Sequence, residues 1–452
     1  MKIPGLRWIL CSLLFLATAL CFLDRQVLSV VAPDICKEFH MDNTIYGYTT
    51  TAFLVSYAIM FLLGGRLIDR LGTRIGLGLS VVFWSLSSAV HGFIHTPFQL
   101  GAARFALGIG EGGCFPGAAK AASEWFPKKE RALAVGIAIG GASLGGVVAP
   151  PLTVWCVNTF GWREAFLLTG VLGLIWSALW FLFYYHPRKS KLVSDQERAY
   201  VLEEDQSPFV NTPPASSDTC AITSESDDAQ DPFEIYGEPV LSPPPEKSKP
   251  GILQLLCRKD VIGLAIARLL FDPVFYFYMF WIPKYLNQER GLSLDAIGQL
   301  TWIPFFALGV SNILGGWFSD RLVRIGMSPH KARLGVMFAA AIATMSSGIA
   351  AISTTAGFAI AMMSILMFAH GFWITNYVTL IGDRFEGSLV ATVMGITGMV
   401  GTLGGVFGNT LIGIVSDAYS FYPIWIVSGC LYPLAMAAIL ITNRTESIKN
   451  GN

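Results

Sequence analysis

Charge is what this chain has least of. Only 14% of its 452 residues are Asp, Glu, Lys or Arg, whereas 53% are hydrophobic, and mean hydropathy is +0.55. A soluble domain carries about 25% charged residues, because its exterior needs polar groups to meet water. So little charge excludes a water-soluble chain of this size and leaves lipid as the solvent. The 31 basic and 31 acidic residues cancel, so no global field favours nucleic acid. Paired cysteines are missing too: the eight cysteines contain no CxxC, and Cys11, Cys21, Cys114 and Cys156 sit singly in apolar runs. They read as small apolar fillers, not as a disulfide framework or a metal site. The apolar runs also lack HExxH or a paired His/Asp constellation, which argues against an enzyme.

What is present instead is a series of long apolar runs. A membrane span takes about 20 largely apolar residues. Such runs lie near residues 8–32, 46–67, 75–94, 98–119, 132–156 and 163–185, then near 261–283, 296–318, 333–352, 355–380, 389–415 and 422–441. Met1–Leu20 resembles a secretory signal peptide, with Lys2 and Arg7 ahead of apolar residues. The apolar character resumes after Asp24 and Arg25, so this segment is expected to be a retained first span. Residues 186–260 differ in composition: they are polar and rich in Pro, Ser, Asp and Glu, too poor in apolar area to fold alone. They read as a linker, with a short amphipathic helix near Asp195–Glu204. The expected fold is all-α integral membrane, twelve helices in two pseudo-symmetric six-helix halves, 1–185 and 261–452. Basic residues cluster in alternate loops, for example Arg66/Arg70/Arg74 and Lys128/Lys129/Arg131, which puts both termini and the linker in the cytoplasm.

An internal repeat supports the two halves. Gly64-Gly65-Arg66-Leu67-Ile68-Asp69-Arg70 recurs as Gly315-Gly316-Trp317-Phe318-Ser319-Asp320-Arg321, and Ser143-Leu144-Gly145-Gly146-Val147 as Thr402-Leu403-Gly404-Gly405-Val406. Parallel six-helix repeats are a transporter architecture, with the substrate site at their interface near mid-membrane. Gly108-x-Gly110-x-x-Gly113 spells a dinucleotide fingerprint, but no strand precedes it, so those glycines read as helix-packing residues.

Gly65–Gly72 resembles the loop motif of the major facilitator superfamily. Phe22-Leu23-Asp24-Arg25, Ala103-Arg104-Phe105 with Glu111, Ser123–Pro127, Ala149–Leu152, Gly161–Arg163, His186–Arg188, and Ala267-Arg268 with Trp281–Pro283 are similar to the anion:cation symporter family, specifically its hexuronate and galactonate transporters. The resemblance covers nearly the whole chain except the linker. It implies a secondary transporter for a small organic anion of the hexuronate or aldonate class, coupled to protons, in the inner membrane. An exchanger or facilitator for other organic anions, such as phosphate esters, is the first alternative and a membrane sensor the second. No cofactor or metal is expected beyond the proton gradient, and a monomer is expected.

Ionisable groups inside spans cost ~2.5–3.5 kcal/mol each on insertion scales and so need a partner or a task. Asp24 and Arg25 lie in the first span, Arg104 and Glu111 in the fourth, Arg268 and Asp272 in the seventh. They are expected to share one cavity, with structural pairing as the plainer alternative. Arg25 would hold the substrate carboxylate, since a guanidinium offers a planar fork of donors. Asp24 and Glu111 would carry protons, with Arg104 as the partner that Glu111 releases and recaptures. Arg268, Tyr57, Thr375, Asn376 and Asn409 are candidate substrate contacts, and Trp373 and Tyr276 candidate stacking surfaces. The repeat offset sets His370 opposite Glu111, as a titratable candidate or a packing residue. Gly65, Asp69, Arg70, Gly316, Asp320 and Arg321 form the expected gating motif, in which Asp69 caps a helix end or pairs with an arginine to latch the halves.

Overall fold

The computed structural model describes residues 2–202, 252–352, 355–385 and 387–449. The part of the linker between residues 203 and 251 lies outside the described residues. Among the described residues there is no strand, only an isolated bridge between Ile3 and Val193.

The first half comprises α1 (Leu6–Glu38), α2 (Asn43–Leu71), α3 (Thr73–Val90), α4 (Pro97–Glu111), α5 (Cys114–Trp125), α6 (Lys128–Thr159) and α7 (Trp162–Phe183). Two short helices follow, α8 (Asp195–Leu202) and α9 (Ile252–Leu256). The second half comprises α10 (Lys259–Gln288), α11 (Leu294–Leu300), α12 (Trp302–Arg324), α13 (Pro329–Ala343), α14 (Ser346–Ala351), α15 (Ala356–Arg384), α16 (Gly387–Ala418) and α17 (Tyr422–Lys449). Ten helical segments among the described residues are long and apolar enough to cross a membrane, and the bent α2 makes eleven. The remaining expected span, α4 with α5, carries Arg104, Glu111, Lys120 and Glu124, which lower its hydropathy.

Starts of helices follow local chemistry. Asp42 accepts the Ile45 N–H at 2.7 Å, Thr96 the Gln99 N–H at 3.2 Å ahead of Pro97, and Ser293 the Ala296 N–H at 3.3 Å. Each satisfies a donor that the first turn leaves without an intrahelical partner. The fourth span departs from the single run expected near 98–119. It breaks at Gly112-Gly113, where added Cβ atoms would collide with Met60 and Ser80. Close approach of α2 and α3 is the reason, and only glycine admits it.

The repeat appears in three dimensions as matched close approaches. A Cβ at Gly64 would lie 2.9 Å from the Gly112 oxygen, and one at Gly315 would lie 2.8 Å from Phe372 Cα and 3.5 Å from the Gly371 oxygen. Likewise a Cβ at Gly145 on α6 would meet the Ala19 carbonyl of α1, and one at Gly404 on α16 the Leu269 carbonyl of α10. The same glycines thus set helix spacing in both halves. Large apolar side chains such as Phe98, Ile313 and Leu182 point outward, as lipid requires.

Residues 186–202 dock on the start of α1. Lys2 pairs with Asp195, and Glu197 accepts the Leu6 and Arg7 N–H groups at 3.2 and 3.1 Å.

Candidate functional site

The six intramembrane charges do not gather in one cavity. Arg25, midway along α1, donates from Nε to Glu111 Oε2 at 2.5 Å, with side chains only 3% and 0% exposed. Glu111 ends α4, where the glycine break stops the helix. Cys21, one turn before Arg25, donates its thiol to the same Oε2 at 3.3 Å. The guanidinium lies over the Tyr57 ring at 4.4 Å, with Phe22 and Phe53 at 5.1 and 5.3 Å. Aromatic faces attract a cation without neutralising it, so this arginine keeps donors directed at more than one acceptor.

Asp24 is adjacent in sequence but faces elsewhere. Consecutive helical residues diverge by about 100°, and Asp24 Oδ1 accepts from Ser88 of α3 at 2.7 Å, with Thr169 of α7 bonded to that serine at 2.9 Å. It therefore sits inside the first half.

Arg104 corrects a second expectation. Spacing paired it with Glu111 on one helix face, yet Glu111 reaches across to α1 instead. Arg104 is 1% exposed, and none of its three guanidinium nitrogens has a hydrogen-bond partner among the described residues. Asp24 Oδ2 and Glu111 Oε1 are likewise buried and unbonded. Arg104 stands within electrostatic range of both carboxylates and of Tyr46. Buried polar groups without partners are costly, and here three of them stand close together.

Across the molecule, Arg268 Nε and Asp272 Oδ2 pair at 3.1 Å within α10, the expected i,i+4 arrangement. They pack against Gly401 of α16, where any Cβ would overlap both side chains. Rings connect the two sides. Tyr57 stacks on Phe53 at 5.6 Å, Phe53 meets Phe280 edge-on at 6.1 Å, and Phe280 stacks on Tyr276 at 6.1 Å. Tyr276 in turn shares a hydrogen bond with Thr402 at 3.4 Å.

The other second-half candidates are engaged in interhelical bonds. Asn376 donates to the Gly315 carbonyl of α12 at 3.1 Å and, within α15, to the Phe372 carbonyl at 2.8 Å; Thr375 donates to the Asn312 carbonyl at 3.2 Å, and Asn409 accepts from Trp281 at 2.6 Å. His370 does not meet Glu111. Its Nδ1 lies 2.5 Å from the Tyr432 hydroxyl, and its ring stacks on Phe275 at 4.9 Å. Trp373 packs in the same cluster, against Phe271 and Tyr432. This is the packing arrangement of a buried histidine.

The loop motifs also differ from expectation. Asp69 pairs with Lys120 of α5 at 2.6 Å beside an open groove lined by Gly65, Pro116 and Ser123. Asp320 pairs with Arg333 at 2.8 Å, and Arg333 also reaches Asp383 at 3.4 Å. Each motif closes within its own half, and Asp69 takes a lysine where an arginine was expected. Polar contacts between the halves occur toward the other end. Thr51 bonds Thr410 at 3.1 Å, Asn158 bonds Asp295 at 2.5 Å, and Asp417 accepts from the start of α2. Sequence reasoning missed Lys284 and Asp417, which sit at span edges where charges are ordinary.

Known proteins place this geometry in a family. A model described as Major Facilitator Superfamily matches residues 14–409. The chain is 30% identical over 427 residues to a hexuronate transporter of Escherichia coli (strain K12), covering 94% of this chain and 91% of that protein. It is 31% identical over 316 residues to a galacturonate transporter of Dickeya chrysanthemi, covering 70% and 82%. A solved D-xylose-proton symporter superposes with a TM-score of 0.69 at 17% identity, covering 95% of this chain and 96% of that one, which speaks to the fold. With its repeated loop motif, paired six-helix halves and charged pairs at mid-span, the chain belongs to the major facilitator superfamily.

Proposed function

We propose that this protein is a proton-coupled secondary transporter for a small sugar-acid anion of the hexuronate or aldonate class. The observation that carries the reading is the Arg25–Glu111 pair, buried beside Tyr57 in the middle of the span. The transporter names of its relatives support the cargo class.

A deprotonated Glu111 competes with the substrate carboxylate for the Arg25 fork. Protonating Glu111 removes that competitor, so a carboxylate can take the two-pronged contact a guanidinium offers. Proton and substrate then bind together, which is the requirement for symport. When both leave, Glu111 returns to Arg25, and Arg104 steadies the carboxylates of Asp24 and Glu111 meanwhile. The Tyr57 and Tyr276 hydroxyls supply donors and acceptors for sugar hydroxyls, while Arg268 with Asp272 offers polar contacts from the second half. Rocking of one half against the other exposes the site to each side in turn. The same reading makes it an inner-membrane protein working as a monomer, and the loop charge bias supports cytoplasmic termini.

Purified protein in liposomes tests the cargo. Uptake of labelled galacturonate should be inhibited by glucuronate and galactonate and not by a hexose phosphate. Inhibition by the phosphate ester alone would replace this reading with the phosphate-ester exchanger.

A further inference from the structure

α2 and α16 run antiparallel across the boundary between the halves. Gly47 abuts Asn409 and Gly413, Thr51 meets Thr410, and Leu54 meets Gly405. Where α16 ends, Asp417 reaches the first turn of α2 in the other half. Its Oδ1 accepts the Asn43 N–H at 3.0 Å, and its Oδ2 accepts the Thr44 N–H and hydroxyl, both at 2.6 Å. First-turn N–H groups have no intrahelical acceptor, and a carboxylate there also meets the positive end of the helix dipole. Asp42 caps the same turn from within its own half, at Ile45.

One layer deeper lies Lys284 of α10, 1% exposed. Its Nζ is 3.3 Å from Cys36 Sγ of α1 and 4.6 Å from the Tyr46 ring of α2, and the Asp417 and Asp42 carboxylates stand within electrostatic range of it. Tyr46 donates its hydroxyl to the Phe280 carbonyl at 2.7 Å and meets Trp281 edge-on at 5.0 Å. A buried ammonium held by a thiol and ring faces is costly to keep from water, and parting the halves at this end would rehydrate it. The Asp417 cap opposes that parting.

We propose that Asp417 on the start of α2 and Lys284 against Tyr46 and Cys36 form the gate at the end of the molecule away from its termini. Both are positioning residues for transport. Breaking their contacts is the step that opens this end, and it uncovers Cys36, which Lys284 and Tyr46 otherwise seal. The assignment does not depend on which anion is carried.

The thiol supplies its own reporter. In full-length protein with Cys220, Cys257 and Cys430 replaced by serine, labelling of Cys36 by a membrane-impermeant maleimide is timed in intact cells. Asp417→Asn removes the charge and keeps the shape; labelling should rise about fivefold, the shift that ~1 kcal/mol of capping energy sets. Lys284→Gln should also raise it, and carries the same reading if the first variant is not recovered folded. Thr96→Ala removes the cap of α4, which lies wholly within the first half, so it should lower thermal stability and leave the labelling rate unchanged. Unchanged labelling in the Asp417 or Lys284 variant, or an equal rise in the Thr96 variant, overturns the gate.

Discussion

Arg25 and Glu111 come from different helices, 86 positions apart, and meet at 2.5 Å between Nε and Oε2 with almost no exposure to solvent. A pair of that kind is strongly destabilising when one member is lost, by ~3–5 kcal/mol, because the other is left charged in a dry site. Fold specificity alone is a weak reason to keep it, since apolar replacements of similar volume are often as stable. Exchange of partners is the use that its geometry suits.

Arg25→Lys retains the charge and the ion pair but loses the planar fork. Uptake of a sugar acid should fall below about a tenth of wild type, ~1.4 kcal/mol or more in carboxylate binding, while thermal stability in detergent changes little. Initial-rate uptake in liposomes checks it. Full activity with lysine would mean that the bidentate contact is not made.

Glu111→Gln imitates the protonated carboxyl permanently. Arg25 is then free for substrate on both sides, so exchange of labelled for unlabelled substrate should persist. Accumulation against a concentration gradient, driven by external acid, should be lost. Counterflow and gradient-driven uptake measured on the same vesicles separate the two. Loss of both, with the protein folded, would assign Glu111 to substrate binding itself.

Much of this arrangement could be read from the chain, and the reasons for the remainder are specific. Hydropathy marked the runs that became α1, α6, α7, α10, α15 and α16, because lipid-facing and packed residues there are both apolar. The glycine-bearing repeat was legible since the same close approaches recur at Gly64 and Gly315 and at Gly145 and Gly404. Partners were not legible. Spacing along one helix linked Arg104 to Glu111, but the donor that Glu111 accepts from, Arg25, sits on another helix, and periodicity carries no information on that. The break at Gly112-Gly113 is invisible to hydropathy because glycine is frequent in spans that do not break. Lys284 and Asp417 look like ordinary flanking charges until α2 and α16 are seen side by side.

His370→Gln should leave the pH dependence of uptake unchanged. The ring is held by Tyr432 and stacked on Phe275, so the expected loss is stability, about 1–3 kcal/mol for breaking a buried hydrogen bond. Uptake measured from acid to neutral pH alongside a thermal melt distinguishes the outcomes. A shifted pH profile at unchanged stability would return His370 to the coupling mechanism.

Gly141→Leu should destabilise the first half, because even a Cβ there collides with the Phe15 carbonyl of α1. Overpacking of this sort costs ~1–3 kcal/mol. Gly136→Ala, five positions earlier where a Cβ meets nothing within 4 Å, should be neutral or stabilising by up to ~1 kcal/mol. Thermal unfolding in detergent compares the two, and equal melting temperatures would contradict the helix spacing described.

The most direct test of proton-coupled sugar-acid transport is the pH inside liposomes carrying the purified protein, followed with a trapped dye and no imposed pH gradient. Adding galacturonate or galactonate outside should acidify the interior with wild type and not with Glu111→Gln. Uptake of labelled substrate with no acidification in the wild type would contradict the account.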